Sequence, residues 1–184
     1  MLPYIKLYRG VFMRKSFVFW QFIGFFIVSL GGVLLHFLYE FSGESLILAP
    51  FSGVNESTAE HIKLLYFPLL ILAFLERRFI KAEGFWCIKL LGTILGLCLI
   101  PVIFYTANGV FGKTPDWFNI TIFFISAAAA LFFEVKLYKA SIPCRRPLAA
   151  FILLILIGVL IIVFTFLPPK IGLFLDPVTG QYGI

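Results

Sequence analysis

Five long apolar runs, separated by short polar stretches, make up most of this chain. The first, 17–39, follows Lys6, Arg9, Arg14 and Lys15, with no acid among residues 1–16. It is longer than the apolar part of a signal peptide, and nothing like A-x-A follows Leu30, so it reads as a retained transmembrane helix. The second run is short. Lys63 and Glu76 enclose only twelve residues, about 18 Å of helix, against a hydrocarbon core of about 30 Å. It spans only as 56–75, which draws Glu60, His61 and Lys63 to the membrane boundary. Runs 85–105, 117–137 and 148–167 follow, and Pro168-Pro169 stops the last. The pattern predicts an all-α membrane bundle of five helices, one domain over 1–184, with a tail at 168–184.

Composition agrees with the pattern. The chain is 61% hydrophobic and 13% charged, about half the charged fraction of a soluble domain. With 24 phenylalanines a soluble fold would expose aggregating patches. Charge then orients the bundle. With the N-terminus inside, twelve of the fifteen Lys and Arg residues fall on the inner side, and only Lys63, Lys113 and Lys170 outside. The acids divide the other way: Glu40, Glu44, Glu56, Glu60, Asp116 and Asp176 outside, Glu76, Glu83 and Glu134 inside. The outer side sums to 3 − 6 = −3 and the inner to 12 − 3 = +9. Excess positive charge stays in the cytoplasm, so the N-terminus is expected in and the C-terminus out, in a cell membrane. The basic loops are explained by topology and give no reason to expect a nucleic-acid partner; the bilayer is the expected one.

The polar residues worth weighing collect at the outer end. His36, Tyr39 and Glu40 are spaced i, i+3, i+4 and share one helical face. Asn55, Glu56, Ser57, Glu60 and His61 follow at the start of the second helix. Ionisable groups at membrane depth are costly and mark functional sites by default. Two histidines with carboxylates suit proton transfer, Glu40 tuning His36, or a divalent metal. They also suit structure: Ser57-x-x-Glu60 fits a capping box, Asn55 a cap, and Tyr39 and Glu40 an interfacial helix end. Candidate catalytic groups are His36, Glu40 and His61; candidate ligand contacts are these with Tyr39, Asn55, Glu56 and Glu60. The tail residues 171–175 are too apolar for water and are expected to fold back over this end.

Other features read as packing. Gly92-x-x-x-Gly96 and Ala127–Ala130 permit close helix contact, and Glu134 is expected to snorkel or pair with Lys136 or Lys139. Cys87, Cys98 and Cys144 show no metal spacing and are expected to be buried packing thiols, Cys144 reduced in a cytoplasmic loop. No phosphate loop, nucleophile elbow or zinc-protease motif is present, so no motif names a cofactor. Three functions stay open: a binding or catalytic site for a lipid-like or small-molecule ligand, a proton-coupled transporter, or a structural accessory protein. For the transporter no inverted repeat is visible.

The stretch Leu35-His36-Phe37-Leu38-Tyr39-Glu40-Phe41-Ser42-Gly43, with Val54-Asn55-Glu56-Ser57 and Glu60-His61-x-Lys63-Leu64, resembles a family of small bacterial multispanning proteins of unknown function. The ending Leu173-Phe174-x-Asp176-Pro177-x-Thr179-Gly180-x-Tyr182-Gly183-Ile184 resembles that family's C-terminus. Phe41 stands where tryptophan is expected, and Thr58-Ala59 where an aromatic is usual. The resemblance implies a bacterial membrane protein. The His36-x-x-x-Glu40 spacing is also weakly similar to the emopamil-binding, sterol-isomerase-like superfamily, which would imply His36 and Glu40 as proton shuttles on a lipid-like ligand.

Overall fold

The computed structural model describes residues 3–82 and 84–184, with side chains from Ser16 onward. The side chains of Lys6, Arg9, Arg14 and Lys15, and the whole of Glu83, all counted above for orientation, lie outside the described residues. The chain forms α1 (Pro3–Phe41), α2 (Thr58–Arg77), α3 (Phe85–Phe111), α4 (Asp116–Lys139) and α5 (Pro147–Phe166). All five are long and apolar enough to cross a membrane, α1 over Ser16–Phe41. Among the described residues there is no strand beyond an isolated bridge, Leu175 to Tyr182. The all-helical five-span expectation holds.

The short second run became the centre of the bundle. Ser57 caps α2, its hydroxyl accepting from the Glu60 N–H, and twenty residues give about 30 Å of helix. Of its spanning window 61% is buried, against 22% for α1 and for α5. Glycine lets α1 approach it: a Cβ on Gly31 would stand 3.1 Å from the Pro68 ring. Tyr66 crosses to α5, where its hydroxyl donates to the Leu154 carbonyl at 2.6 Å. Gly158 makes room, because a Cβ there would meet that hydroxyl at 2.6 Å. The core is built around Leu64, Leu65, Leu69 and Leu72 with Leu97, Phe123 and Ala127.

Helix α3 runs six residues past the expected Tyr105. Asn108-Gly109 does not stop it, the Asn108 side chain donating back to the Phe104 carbonyl at 2.8 Å, and the helix ends at Gly112, whose φ of +80° suits glycine. The Gly92-x-x-x-Gly96 face packs on α4, as expected, with Gly96 against Ala130.

Two expectations are corrected. Cys87 and Cys144 form a disulfide, with Cα atoms 6.0 Å apart, because the α4–α5 loop returns over the start of α3. Cys98 is exposed on the outside of α3. None of the three is the buried packing thiol foreseen. Glu134 neither snorkels nor takes Lys136 or Lys139: it is fully buried and pairs with Lys89.

Candidate functional site

The helices alternate in direction, so the start of α2 and the ends of α1 and α5 meet at one end of the bundle, here the acidic end. There Glu56, in the turn before α2, faces both histidines. His36 Nε2 lies 3.6 Å from Glu56 Oε1, and His61 Nε2 lies 3.9 Å from Glu56 Oε2. The two imidazole rings are 6.0 Å apart. The trio is half-buried, with His36 30%, His61 23% and Glu56 50% exposed, so solvent or a ligand reaches it. His61 Nδ1 is 3.0 Å from the Ser57 carbonyl. A carbonyl only accepts, so Nδ1 carries the hydrogen, and in the neutral ring Nε2 presents a lone pair to the carboxylate. Among the described residues no protein donor lies within hydrogen-bond distance of that carboxylate. The Glu56 carboxylate and the His61 Nε2 lone pair thus leave acceptors open on the exposed side of the trio. No group of three His, Cys, Asp or Glu residues among those described stands at metal-holding geometry.

Beside the trio, Glu60 and Lys63 have a different character. Lys63 Nζ lies 2.5 Å from Glu60 Oε2 and donates to the Ala49 carbonyl at 2.9 Å and the Thr165 hydroxyl at 3.1 Å. All three ammonium hydrogens are thereby used. Glu60 also accepts from the Val54 N–H at 3.0 Å. The capping box is therefore half-formed: Ser57 caps Glu60, but the Glu60 carboxylate turns to Val54, and the Ser57 N–H goes to Asn55 Oδ1. The pair ties the α1–α2 loop and α5 to α2.

Asn55 reaches the tail, its Nδ2 donating to the Gly183 carbonyl at 2.9 Å. Asp176 holds the tail's turn. Burial alone would raise its carboxyl, but hydrogen bonds from the Thr179 hydroxyl and the N–H groups of Val178, Thr179 and Glu56 outweigh burial and hold it below the usual aspartate range. Phe174 packs edge-on to Phe164 of α5. The tail therefore folds back on the start of α2.

Of the seven candidate residues, the structure brings together His36, Glu56 and His61 in the open trio and places Glu60 and Asn55 in ties beside it. Glu40 is exposed and faces neither imidazole; the carboxylate opposite His36 is Glu56. Tyr39 contributes its backbone carbonyl to the turn at Ser42 and Glu44. The His36-x-x-x-Glu40 spacing thus corresponds to no contact.

The opposite, basic end holds a cluster that sequence reasoning missed. Lys89 of α3 pairs with Glu76 of α2 at 2.5 Å and with Glu134 of α4. Gln21 of α1 donates from Nε2 to Glu76 Oε1 at 2.9 Å. Gln21 is 4% exposed, Lys89 1%, and both carboxylates are fully buried. The available signal was Lys89, one turn inside an otherwise apolar span.

Residues 12–184 match the family of unknown function DUF6512. The chain belongs to this family. No curated protein and no solved structure matches it. In this DUF6512 chain, two cavities flank α2. One of about 170 Å³ at the acidic end lies between α2, α5 and the tail, with Glu60, Lys63 and Thr165 beneath Leu173 and Phe174. The other, of about 550 Å³ at the basic end, is lined by Arg77, Trp86, Cys144 and Phe151.

Proposed function

We propose that this protein binds a lipid-like or small amphiphilic ligand at the acidic end of the bundle, through His36, Glu56 and His61. The observation carrying this reading is the convergence itself: two imidazole Nε2 atoms stand at 3.6 and 3.9 Å from one half-exposed carboxylate that receives no hydrogen bond from the described residues. Open acceptors call for a hydrogen-bond donor, so the fitting head group is an ammonium or hydroxyl. The trio's position at the membrane boundary, with exposed Phe37 packed edge-on to His36, suits a ligand whose remainder is apolar. The charge distribution supports an N-in, C-out orientation in a bacterial cell membrane, so the trio faces outward.

A carrier reading fits less well. Along α2, Lys63 and Glu76 are separated by about 20 Å occupied by Leu64, Leu65, Phe67, Leu69 and Leu72, all buried. This apolar layer parts the two polar ends. The purely structural reading suits Glu60 and Lys63, whose hydrogen-bonding is complete, and not the trio, whose acceptors are open.

The test is native mass spectrometry of the full chain released from nanodiscs of phosphatidylethanolamine and phosphatidylglycerol. Glu56→Gln should lose retained aminolipid by at least about tenfold, the order expected for one charge-assisted hydrogen bond. Tyr39→Phe should retain it. Equal retention by wild type and Glu56→Gln sinks the aminolipid form of the reading, and failure of hydroxyl-bearing amphiphiles in the same assay sinks the rest. A reporter fused at Ile184 should be active outside the cytoplasm; cytoplasmic activity refutes the orientation.

A further inference from the structure

Four helices each send one polar side chain into the basic half of the bundle: Gln21, Glu76, Lys89 and Glu134. Gln21, Lys89 and Glu134 lie about one turn or more inside their helices, and Glu76 stands one residue before the end of α2. Counted as ionised, the cluster holds two negative charges and one positive. A net charge of −1 remains in a site that water does not reach, where it is far more costly than in solvent. Among the described residues no second cation pairs with the two carboxylates. Lys89 Nζ stands 5.7 Å from the ring centroids of Phe17 and Phe85. Arg77, next to Glu76, turns away: its guanidinium lies over Phe85 and donates to the Ile80 carbonyl at 3.0 Å. Helix α5 carries no charged residue. On α4, Tyr138 stacks on Phe17 and brings a phenol, not a cation.

An independent observation points to what is missing. Gln21 is buried and aimed into the cluster by its bond to Glu76, yet its Oε1 has no donor. Glu134 Oε1 is likewise buried without a donor. A cluster in which acceptors outnumber donors and negative charge exceeds positive lacks one hydrogen and one positive charge. Both deficits are met by a single particle.

We infer that the Glu76–Glu134 pair holds one proton in the folded protein at neutral pH, carried by Glu134, and that the cluster is a proton-binding site inside the bundle. Two carboxylates sharing one counter-charge keep a proton between them. Glu134 is the carrier because Glu76 is held both by the Gln21 hydrogen bond and by the Lys89 ion pair, whereas Glu134 meets Lys89 alone and keeps Oε1 without a donor. A metal cation is disfavoured by space. Glu134 lies against Gly92 so closely that a Cβ there would stand 2.6 Å from Oε1 and 2.9 Å from the carboxyl carbon, and neither cavity described above reaches the cluster.

The test is infrared spectroscopy of the full chain in lipid nanodiscs at neutral pH, with a pH series of unfolding in mixed micelles. The wild type should show a protonated-carboxyl C=O band that is absent from Glu134→Gln. Glu76→Gln should lose it too, since the remaining glutamate then pairs one-to-one with Lys89; this second variant serves if the first fails to fold. Above the ordinary glutamate range the folded state keeps a proton that the unfolded chain has released. The ratio of wild-type to Glu134→Gln unfolding constants should therefore rise about tenfold per pH unit until the folded site empties. A folded wild type without the band overturns the proposal, as does a band persisting in both variants. Stabilisation by sodium or potassium chloride that Glu134→Gln abolishes, again without the band, reassigns the site to a metal cation.

Discussion

Replacing Lys63 by methionine tests whether the Glu60–Lys63 pair is a structural tie. Methionine fills a similar volume, so packing changes little and the charge is the perturbation. Lys63 is 1% exposed, and it serves three partners: Glu60 at 2.5 Å, the Ala49 carbonyl and the Thr165 hydroxyl. Removing it leaves the Glu60 carboxylate, 8% exposed, with the Val54 N–H as its remaining donor. Breaking a buried pair on one side costs about 3–5 kcal/mol. The double variant Glu60→Gln with Lys63→Met should cost less. A glutamine carbonyl still accepts from Val54 and carries no charge, so the loss falls to unsatisfied carbonyl and hydroxyl groups, about 1–3 kcal/mol.

The assay is reversible unfolding in mixed micelles, followed by tryptophan fluorescence and fitted to two states. The decisive result is the order of the variants. If Lys63→Met costs less than about 1 kcal/mol, or the double variant is the less stable, then Glu60 is not left stranded and the tie is not structural. Retained ligand binding by both variants, provided they fold, would separate this pair from the trio.

Three further outcomes are expected. Lowering the pH should release the tail. Asp176 is held below the usual aspartate range, so its contribution is complete above that range and is lost as pH falls through the depressed value; proteolysis between Pro168 and Ile184 should accelerate there in the wild type, and Asp176→Asn should be cut at neutral pH as well. Gly92→Ala would drive a methyl group into the Glu134 carboxyl and should cost about 1–3 kcal/mol, measured in the same unfolding assay; no loss would show that α3 and α4 are further apart than described. In the orientation proposed above, Cys87 and Cys144 face a reducing compartment, so thiol alkylation in intact cells should find them open, and purification without reductant should close them; a bond that is present in cells despite a cytoplasmic Lys139 would break the link between charge and redox state.

Most of the fold was legible because spanning a bilayer imposes length and apolarity on each helix separately. The five runs could be counted without knowing a single contact. Helix ends were less legible where a breaker is overridden: α3 continues past Tyr105 through Asn108-Gly109 to Gly112, with the Asn108 side chain bonded back to the Phe104 carbonyl. At the site, His36, Glu56 and His61 were legible as excess charge in an apolar chain, but their pairing was not. The i, i+4 spacing favoured Glu40 as the partner of His36, whereas the turn before α2 brings Glu56 across. Local spacing says which residues share a face, and only the loop's path says which faces meet. Cys87 with Cys144, and Lys89 with Glu134, were missed for the same reason. Their partners lie 57 and 45 positions away.

The two buried ionic clusters contrast in a way that separates holding from acting. Glu60 and Lys63 balance in charge, and the ammonium is completely hydrogen-bonded. Such a pair satisfies a fold's needs and leaves nothing to exchange. The basic-end cluster has the same burial without the balance. Gln in place of Glu134 would keep its volume, its reach to Lys89 and a neutral site, so packing does not require the second carboxylate. A net charge that packing does not require, in a medium that penalises it, is compensated in the proposal above by the bound proton. That is the reason for placing the proton on Glu134 and for leaving Glu60 as a tie. It also fixes the comparison to make: Glu134→Gln should remove the pH dependence of stability above the glutamate range, and the double variant Glu60→Gln with Lys63→Met should keep it.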